Sequence, residues 1–286
     1  MMAQTTVAVL SDVHGNLPAL EAVIAELEKQ SIESILVAGD LIGGPNPNEV
    51  IELLKSLGCT MIAGNMDLDF LRLARGEAPK EWYSLKQYGT WRWTNEQVKP
   101  EVRQFLESLP EQQVIHIGDT APIRLVHGSP RSPYEGIFPD SDPDFFEAIL
   151  QETPEQVLVC GHIHVAWKKR IQGKLIINPG AVSAPLSGHP GAHYALLDYT
   201  NEEWEVTHKR IRYDTIKIRK AYIESGLLEA GTGIAKFFLR ACETGLDYHK
   251  MFFDHANSVA AEAGYENIEY FPDDLWEQAV DTFPWD

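Results

Sequence analysis

Seven side chains that can bind metal ions occur in five short segments, and each segment contains a glycine. The segments are Ser11-Asp12-Val13-His14-Gly15-Asn16, Gly39-Asp40, Gly64-Asn65, Val126-His127-Gly128 and Gly161-His162-Ile163-His164. Carboxylate, amide and imidazole donors without a thiolate suit Mn²⁺ or Fe better than a closed structural zinc site. His162 and His164 are two positions apart, so in an extended segment both project to the same side. A single Asp or His at a strand end is usually a cap or surface group, but the full set predicts a metal site.

Each of these segments follows a short apolar run that is typical of a β-strand. The runs are residues 7–10, 35–38, 60–63, 123–126 and 157–160. In open α/β sheets, sites form where loops converge at the carboxyl ends of the strands. The glycines allow the backbone to approach a small centre closely because they lack a Cβ atom. The runs therefore position all seven side chains at strand exits.

Helices and a hairpin are predicted around these strands. Residues 17–30 begin with Pro18 near the first turn and carry apolar side chains on one face, and residues 48–57 repeat this pattern. The strand, helix, strand order implies right-handed parallel crossovers. Residues 195–199 and 203–207 form a predicted hairpin. The expected fold is α/β, a four-layer α-β-β-α sandwich of two mixed sheets flanked by helices.

Two further helical regions are predicted. Residues 68–110 form a helical insertion that is crowded with aromatic side chains, including Trp82, Trp91 and Trp93. Such a stripe is usually core, but its place directly after a ligand segment also favours a substrate-facing cap. Residues 1–213 are predicted to form the main domain, and residues 214–286 an acidic helical extension with helices at 215–224, 233–243 and 248–263. No motif in this extension indicates a function.

The motif set resembles the calcineurin-like metallophosphoesterases, whose D-x-H, G-D, G-N, H and G-H-x-H blocks occur in this order. Within that superfamily it is most similar to the bacterial YfcE-like group. The stretches that carry this likeness are Gly39-Asp40-Leu41-Ile42-Gly43-Gly44-Pro45 followed by Pro47-Asn48-Glu49-Val50, then His127-Gly128-Ser129-Pro130 and Asn178-Pro179-Gly180-Ala181-Val182. The resemblance implies the same sandwich fold and a metal-dependent phosphoesterase (phosphatase or phosphodiesterase).

The resemblance also implies a ligand set for two divalent ions, Mn or Fe, with Zn or Ni as further possibilities. One ion is bound by Asp12, His14 and His164, the second by Asn65, His127 and His162, and Asp40 bridges both. Such a pair activates a bridging water, with a pKa of about 7, for in-line attack on a small phosphodiester or phosphomonoester. Two other functions stay open: hydrolysis of phosphoanhydrides such as dinucleoside polyphosphates, and a non-catalytic metal-bound scaffold for a protein partner.

One position departs from the better-known members of the superfamily. Many of them carry a histidine after the G-N asparagine, placed to protonate the leaving group, whereas this chain has Met66 followed by Asp67. Methionine cannot donate a proton, so Asp67 and water are the candidates for the general acid. Asn16, Met66 and His189 are predicted to contact the substrate.

The composition indicates a large acidic protein. The chain has 286 residues and a net charge of −18, which disfavours long nucleic acid because its binding relies on Lys and Arg. A small phosphorylated substrate stays compatible with this charge, since two divalent ions dominate the local potential. With no apolar run of ~20 residues, no signal-peptide pattern and no C-x-x-C among three cysteines, a cytoplasmic location and no membrane partner are expected. Asp273, Asp274 and Asp281 beside Trp276 predict a solubilising tail. The oligomeric state is left open.

Overall fold

Ten strands and eleven α-helices make up the described part of the chain, residues 5–266 and 268–285 of a computed structural model. The strands are β1 Thr5–Leu10, β2 Ser34–Val37, β3 Thr60–Met61, β4 Gln112–Ile115, β5 Ile123–Val126, β6 Val157–Val159, β7 Trp167–Ile171, β8 Lys174–Asn178, β9 Ala192–Thr200 and β10 Glu203–Ile211. The helices are α1 Leu17–Leu27, α2 Pro47–Ser56, α3 Asn65–Ala74, α4 Gly89–Gln97, α5 Pro100–Glu107, α6 Pro143–Gln151, α7 Thr215–Glu224, α8 Leu227–Ala230, α9 Thr232–Thr244, α10 Tyr248–Glu262 and α11 Asp273–Thr282. Two short 3₁₀ helices, Lys80–Tyr83 and Lys86–Tyr88, precede α4.

The strands form two mixed sheets of five strands each. The first has the order β10-β9-β1-β2-β3, in which β1, β2 and β3 are parallel, β9 pairs antiparallel with β1, and β9 and β10 form an antiparallel hairpin. The second has the order β4-β5-β6-β8-β7, with β5, β6 and β8 parallel and antiparallel strands at both edges. All of these parallel strands except β8 correspond to the apolar runs whose ends are predicted to hold the ligands.

Alternate side chains of a strand pack in different layers of the sandwich. Val7 and Val9 of β1 pack between the sheets, against residues of β5 and β6 such as Leu125 and Val159. The alternate residues Ala8 and Leu10 face α1 and α2 instead, because successive side chains of a strand point to opposite faces. The outer face of the second sheet is covered by α6. The predicted α-β-β-α sandwich is therefore confirmed.

The predicted solubilising tail needs a correction, because its residues form a packed helix, although Asp274 and Asp281 are exposed. Residues 273–282 form α11, which buries Leu275, Trp276 and Ala279 in an aromatic cluster with α9 and α10, and Trp276 is fully buried. Asp273 and Asp274 lie in its first turn, where the helix dipole favours negative charge. The buried apolar residues of α11 are spaced at helical intervals rather than contiguously, so no apolar run in the sequence indicates this packing. No described helix is long and apolar enough to cross a membrane.

Candidate metal centre

All seven predicted ligands lie at strand ends, on loops contributed by both sheets. They are Asp12 and His14 after β1, Asp40 after β2, Asn65 at the start of α3 after β3, His127 after β5, and His162 and His164 after β6. Since parallel strands end at the same edge of a sheet, stacking the two sheets brings these loops together.

Five of these residues adopt a left-handed backbone conformation. Asp12, His14, Asp40, His162 and His164 have φ values of 54°, 43°, 52°, 70° and 58°. Positive φ is uncommon for residues other than glycine, and such a conformation costs roughly 1–3 kcal/mol. Strain of this kind persists where the surrounding structure enforces it, and it clusters at functional sites.

The neighbouring glycines are required by close contacts. A Cβ atom added to Gly64 would overlap Oδ1 of Asp40, and one added to Gly161 would overlap Oγ of Ser11, with Oδ2 of Asp12 only 3.1 Å away. Any side chain at these two positions would displace a predicted ligand or its neighbour.

One group of donors consists of Asp12, His14 and His164. Ligand atoms of all three lie within 4.8 Å of one another, and all three residues are buried or nearly so. Nε2 of His164 lies 3.4 Å from Oδ1 of Asp12 and 3.1 Å from Nε2 of His14. Nδ1 of His164 is 2.8 Å from the carbonyl oxygen of Ala184, which fixes the ring. This group matches the predicted first metal site.

The second group centres on Asp40 and His127. Oδ2 of Asp40 lies 3.4 Å from Nε2 of His127 and 3.7 Å from Nε2 of His14, so one oxygen faces both groups. Nε2 of His127 is also 2.9 Å from Oδ1 of Asn65. Ligand atoms of Asp12, Asp40 and His127 converge within 4.8 Å, whereas the ring of His162 lies 5.2 Å from that of His127, centroid to centroid. The backbone N–H of His162 donates to Asp12 at 3.2 Å.

The hydrogen bonds of the histidine rings show whether a cation can lie between each ring and the neighbouring carboxylate. Nδ1 of His127 lies 2.7 Å from the carbonyl oxygen of Ala38. A carbonyl only accepts, so Nδ1 carries the hydrogen, and Nε2 of the neutral ring is left with a lone pair. That lone pair faces the carboxylate of Asp40, and the same holds for His164 and Asp12. Acceptors facing each other need a cation between them, either a proton or a metal ion, and metal competes with the proton for such nitrogens.

The charges of the site agree with this conclusion. Burial lowers the pKa of His14 to about 4, so its ring is neutral at pH 7. Burial opposes a charge on His127 as well, but the carboxylate of Asp40 outweighs it and raises the pKa of His127 to about 9. Burial also opposes ionisation of Asp40, yet His127 and His14 hold the pKa of that carboxyl well below its usual range. The donor set is therefore electrostatically prepared for positive charge. Nδ1 of His14 is buried and has no hydrogen-bond partner among the described residues.

Asp67, the candidate general acid, occupies a buried position outside the pocket described below. Its carboxylate accepts hydrogen bonds from the backbone N–H groups of Leu41 at 3.0 Å, Ile42 at 3.2 Å and Gly64 at 2.9 Å. Burial, and then the negative charge of Asp40, raise its pKa to about 7. The carboxylate connects the loop after β2 to the start of α3.

Asn16 is fully buried and bonded to structural partners. Its Oδ1 accepts from the N–H of Ala19 and caps α1, and its Nδ2 donates to Tyr213 at 3.0 Å and to Ser183 at 3.3 Å. Its side chain is not among those that line the pocket. The predicted contact with the substrate therefore lacks the necessary access, because the amide is used to join α1 to the segment that enters α7.

Met66 and His189 have different placements. Met66 lines the pocket and is 7% exposed, and its N–H donates to Oδ1 of Asp40 at 2.9 Å. His189 lies in an exposed loop whose backbone packs against Gly245, and it does not line the pocket. The structure thus brings Met66 to the predicted ligands but not His189.

A cavity of about 350 Å³ opens over the ligand residues. Its walls are His14, Asp40, Asn65, Met66, Phe138, His162, Ile163, His164, Ala184, Leu186, Phe237, Phe238, Ala241 and His249. The contributions of α9 and α10 to these walls were not found from the sequence. The helical periodicity of α9 was detectable, but nothing in it indicates which part of the fold it covers.

The predicted aromatic cap is wrong, since Trp82, Trp91 and Trp93 do not line the cavity. The ring of Trp82 stacks on Tyr88 at 5.0 Å, and Trp91 packs against both. Trp93 is buried with residues of α7 and α9, and its Nε1 donates to the carbonyl oxygen of Ser225 at 3.2 Å. These rings form the core that attaches the C-terminal helices, which occupy the place predicted for the cap.

Known proteins share this fold and this order of motifs. The profile of the calcineurin-like phosphoesterase superfamily domain matches residues 6–202. An uncharacterised protein of Methanocaldococcus jannaschii, MJ0912, is 31% identical over 241 residues, which are 77% of this chain and 92% of that protein. The phosphodiesterase YfcE of Escherichia coli K12 is 27% identical over 197 residues, 66% of this chain and 84% of YfcE. The crystal structure of a metallophosphoesterase from Sphaerobacter thermophilus superposes with a TM-score of 0.67 at 28% identity, covering 85% of this chain and all of that one.

Fold, donor set and relatives agree on one class of protein, the metal-dependent phosphoesterases. The chain belongs to the calcineurin-like phosphoesterase superfamily and, within it, to the YfcE-like group, as its motifs predicted.

Proposed function

We propose that this protein hydrolyses small phosphoesters, diesters or monoesters, with two divalent metal ions bound by the seven residues at the strand ends. This proposal rests on one observation: in the pairs His127–Asp40 and His164–Asp12, an imidazole lone pair faces a carboxylate oxygen. Protein groups alone do not satisfy such pairs unless a proton or a metal ion lies between them.

The proposed assignment places one ion at Asp12, His14 and His164, and the second at Asn65, His127 and His162. Asp40 is the bridging ligand, supported by the position of its Oδ2 near both His14 and His127. When bound, two such ions lower the pKa of a water, orient the phosphoryl group and stabilise the charge on the attacking and leaving oxygens.

The chain itself fixes the donors before any ligand binds. Carbonyl oxygens of Ala38 and Ala184 orient the rings of His127 and His164, and the N–H of Met66 holds Oδ1 of Asp40 so that Oδ2 faces the histidines. Outer contacts of this type typically account for 10–100-fold in metal affinity or activity. The expected metals are Mn or Fe because the donors are nitrogen and oxygen; all three cysteines lie outside the cavity walls.

The cavity favours phosphoesters over the alternative, phosphoanhydrides of the dinucleoside polyphosphate type. None of the described side chains that line it is Lys or Arg, the residues that usually neutralise a polyphosphate. Its volume of about 350 Å³ is near the lower end of the roughly 300–1,000 Å³ that ligand pockets span. The anhydride alternative retains one argument, since Met66 cannot protonate a poor leaving group. We propose water as the proton donor, because Asp67 lies outside the cavity walls.

The test is hydrolysis of an activated aryl phosphodiester and monoester by the purified protein with Mn²⁺ added. Asp40→Asn and His162→Ala should each lower turnover by more than roughly 100-fold, beyond the cost of losing an outer contact. Matched controls are Asp140→Asn and His116→Ala, which change exposed residues outside the cavity. Bound metal is counted by elemental analysis in each variant. Wild-type turnover in either ligand variant under metal-limited conditions would remove that residue from the assignment.

A further inference from the structure

The cavity beside the ligand residues carries an apolar aromatic wall that the proposed chemistry does not need. We propose that this wall binds an uncharged aromatic group esterified to the substrate's phosphate. The substrate class is thus an aromatic phosphoester, and Phe138 and Phe238 determine this preference. This inference rests on the proposed phosphoesterase function and adds the chemical nature of the group next to the phosphate.

Phe238 places an aromatic face directly against the first group of ligands. Its ring centroid lies 5.0 Å from that of His14 and 6.4 Å from that of His164. Phe237 extends the surface, since its ring stacks on that of Phe238 at 4.9 Å with an interplanar angle of 30°. A flat group attached to a phosphate at the ligands would therefore lie beside an aromatic surface.

Phe138 supplies a second ring, next to the other group of ligands. A Cβ atom added to Gly136 would lie 3.0 Å from the ring of Phe138, 2.8 Å from Ile163 and 3.4 Å from the ring of His162. These side chains are therefore neighbours around one small residue. Since Phe138 and Phe238 both line the cavity, rings flank the ligands near His162 as well as near His14.

The side chains that line the cavity offer few partners to a strongly hydrophilic group. Apart from the predicted ligands, His249 is the one polar side chain among the described residues that line it, and its ring stands edge-on to Phe237 at 5.2 Å. A sugar or a second phosphate in this space would lose water without gaining partners, which is unfavourable for each unpaired group. An aromatic ring loses little on leaving water and gains offset or edge contacts with these rings.

The experiment measures binding without turnover. Methylphosphonate, cyclohexylphosphonate and phenylphosphonate are titrated into the Mn²⁺-loaded protein by calorimetry. The wild type should bind phenylphosphonate roughly tenfold or more tightly than methylphosphonate, as burial of one ring predicts, and several-fold more tightly than cyclohexylphosphonate. Phe138→Ala and Phe238→Leu should reduce the phenyl-to-methyl ratio several-fold while affinity for methylphosphonate and metal content stay unchanged.

The control is Tyr265→Ala, which removes an aromatic ring of similar exposure, 44% against 51% for Phe138, outside this cavity. Its phenyl-to-methyl ratio should equal that of the wild type. Equal affinities for phenyl- and methylphosphonate, or for phenyl- and cyclohexylphosphonate, would overturn the aromatic preference and leave the proposed phosphoesterase intact. If no phosphonate binds and no phosphoester is hydrolysed, the inference fails together with the proposed function.

Discussion

Replacing Asn16 with alanine should destabilise the protein without weakening substrate binding. The change removes the side-chain cap of α1, formed by Oδ1 with the N–H of Ala19, and the two donations of Nδ2 to Tyr213 and Ser183. Loss of an N-cap costs about 1 kcal/mol. Leaving buried hydroxyl partners without a donor adds about 1–3 kcal/mol. The free energy of unfolding should therefore fall by about 2–4 kcal/mol.

Asn46→Ala provides the matched control. Asn46 occupies the same N-cap position in α2 but makes no side-chain capping bond, so its replacement should cost well under the value expected for Asn16. Urea denaturation followed by circular dichroism gives the free energies, and steady-state kinetics on an aryl phosphoester gives KM and kcat for the Mn²⁺-loaded variants. KM should change less than twofold in both. A stable Asn16→Ala variant whose KM rises tenfold would show that Asn16 binds substrate and that the structural role assigned to it is wrong.

Three further substitutions test other parts of the site and fold. Met66→His should make turnover less dependent on the leaving-group pKa, since general acid help is worth about 10²–10⁴-fold and matters most for alkyl esters; an unchanged slope across an aryl-to-alkyl series would contradict this. Gly64→Ala should abolish most activity, because its Cβ would overlap Oδ1 of Asp40 while the φ of −94° strains no side chain; full turnover would refute the contact. His193→Gln should make the protein less sensitive to acid. Burial, and then Arg210, lower the pKa of His193 to about 4 in the folded protein. The unfolded chain therefore takes up its proton first, and stability is lost as pH falls from about 6.5 to 4. Urea midpoints at pH 7 and pH 4.5 measure this, and an equal drop in both proteins would count against it.

The sequence predicted the ligand positions because strands and ligands are adjacent in the chain. Each predicted ligand follows an apolar run within a few residues, so the positions of Asp40 and His127 at strand ends could be inferred locally. The fold followed from the same runs. The predicted contact between Asn16 and the substrate did not follow from these runs. Its proximity to His14 in the motif says nothing about the direction of its side chain. Asn16 instead points into the contact between α1 and the segment around Tyr213.

The walls of the cavity could not be predicted because they depend on long-range packing. Phe238 contacts His14 across more than two hundred residues of sequence, and no local pattern distinguishes an aromatic residue over a site from one in a core. The same ambiguity led to the prediction that Trp91 covers the site, whereas in the structure it packs against the core. Aromatic periodicity in α4 and α9 indicates burial in both cases, and only the packing of the C-terminal helices decides which rings reach the cavity.

The predicted ligands and several residues of the cavity wall lie in different parts of the chain. The superfamily match ends at residue 202, and all seven predicted ligands precede that point, whereas Phe237, Phe238, Ala241 and His249 follow it. The chemistry therefore belongs to the shared domain, while a large part of the surface that meets the organic group of the substrate does not. Relatives matched only over the shared domain constrain the reaction much more than the substrate. Because binding energy from groups beside the reacting phosphate sets the relative kcat/KM of competing esters, the specificity of this protein has to be sought in α9 and α10 as well as in Phe138 of the shared domain.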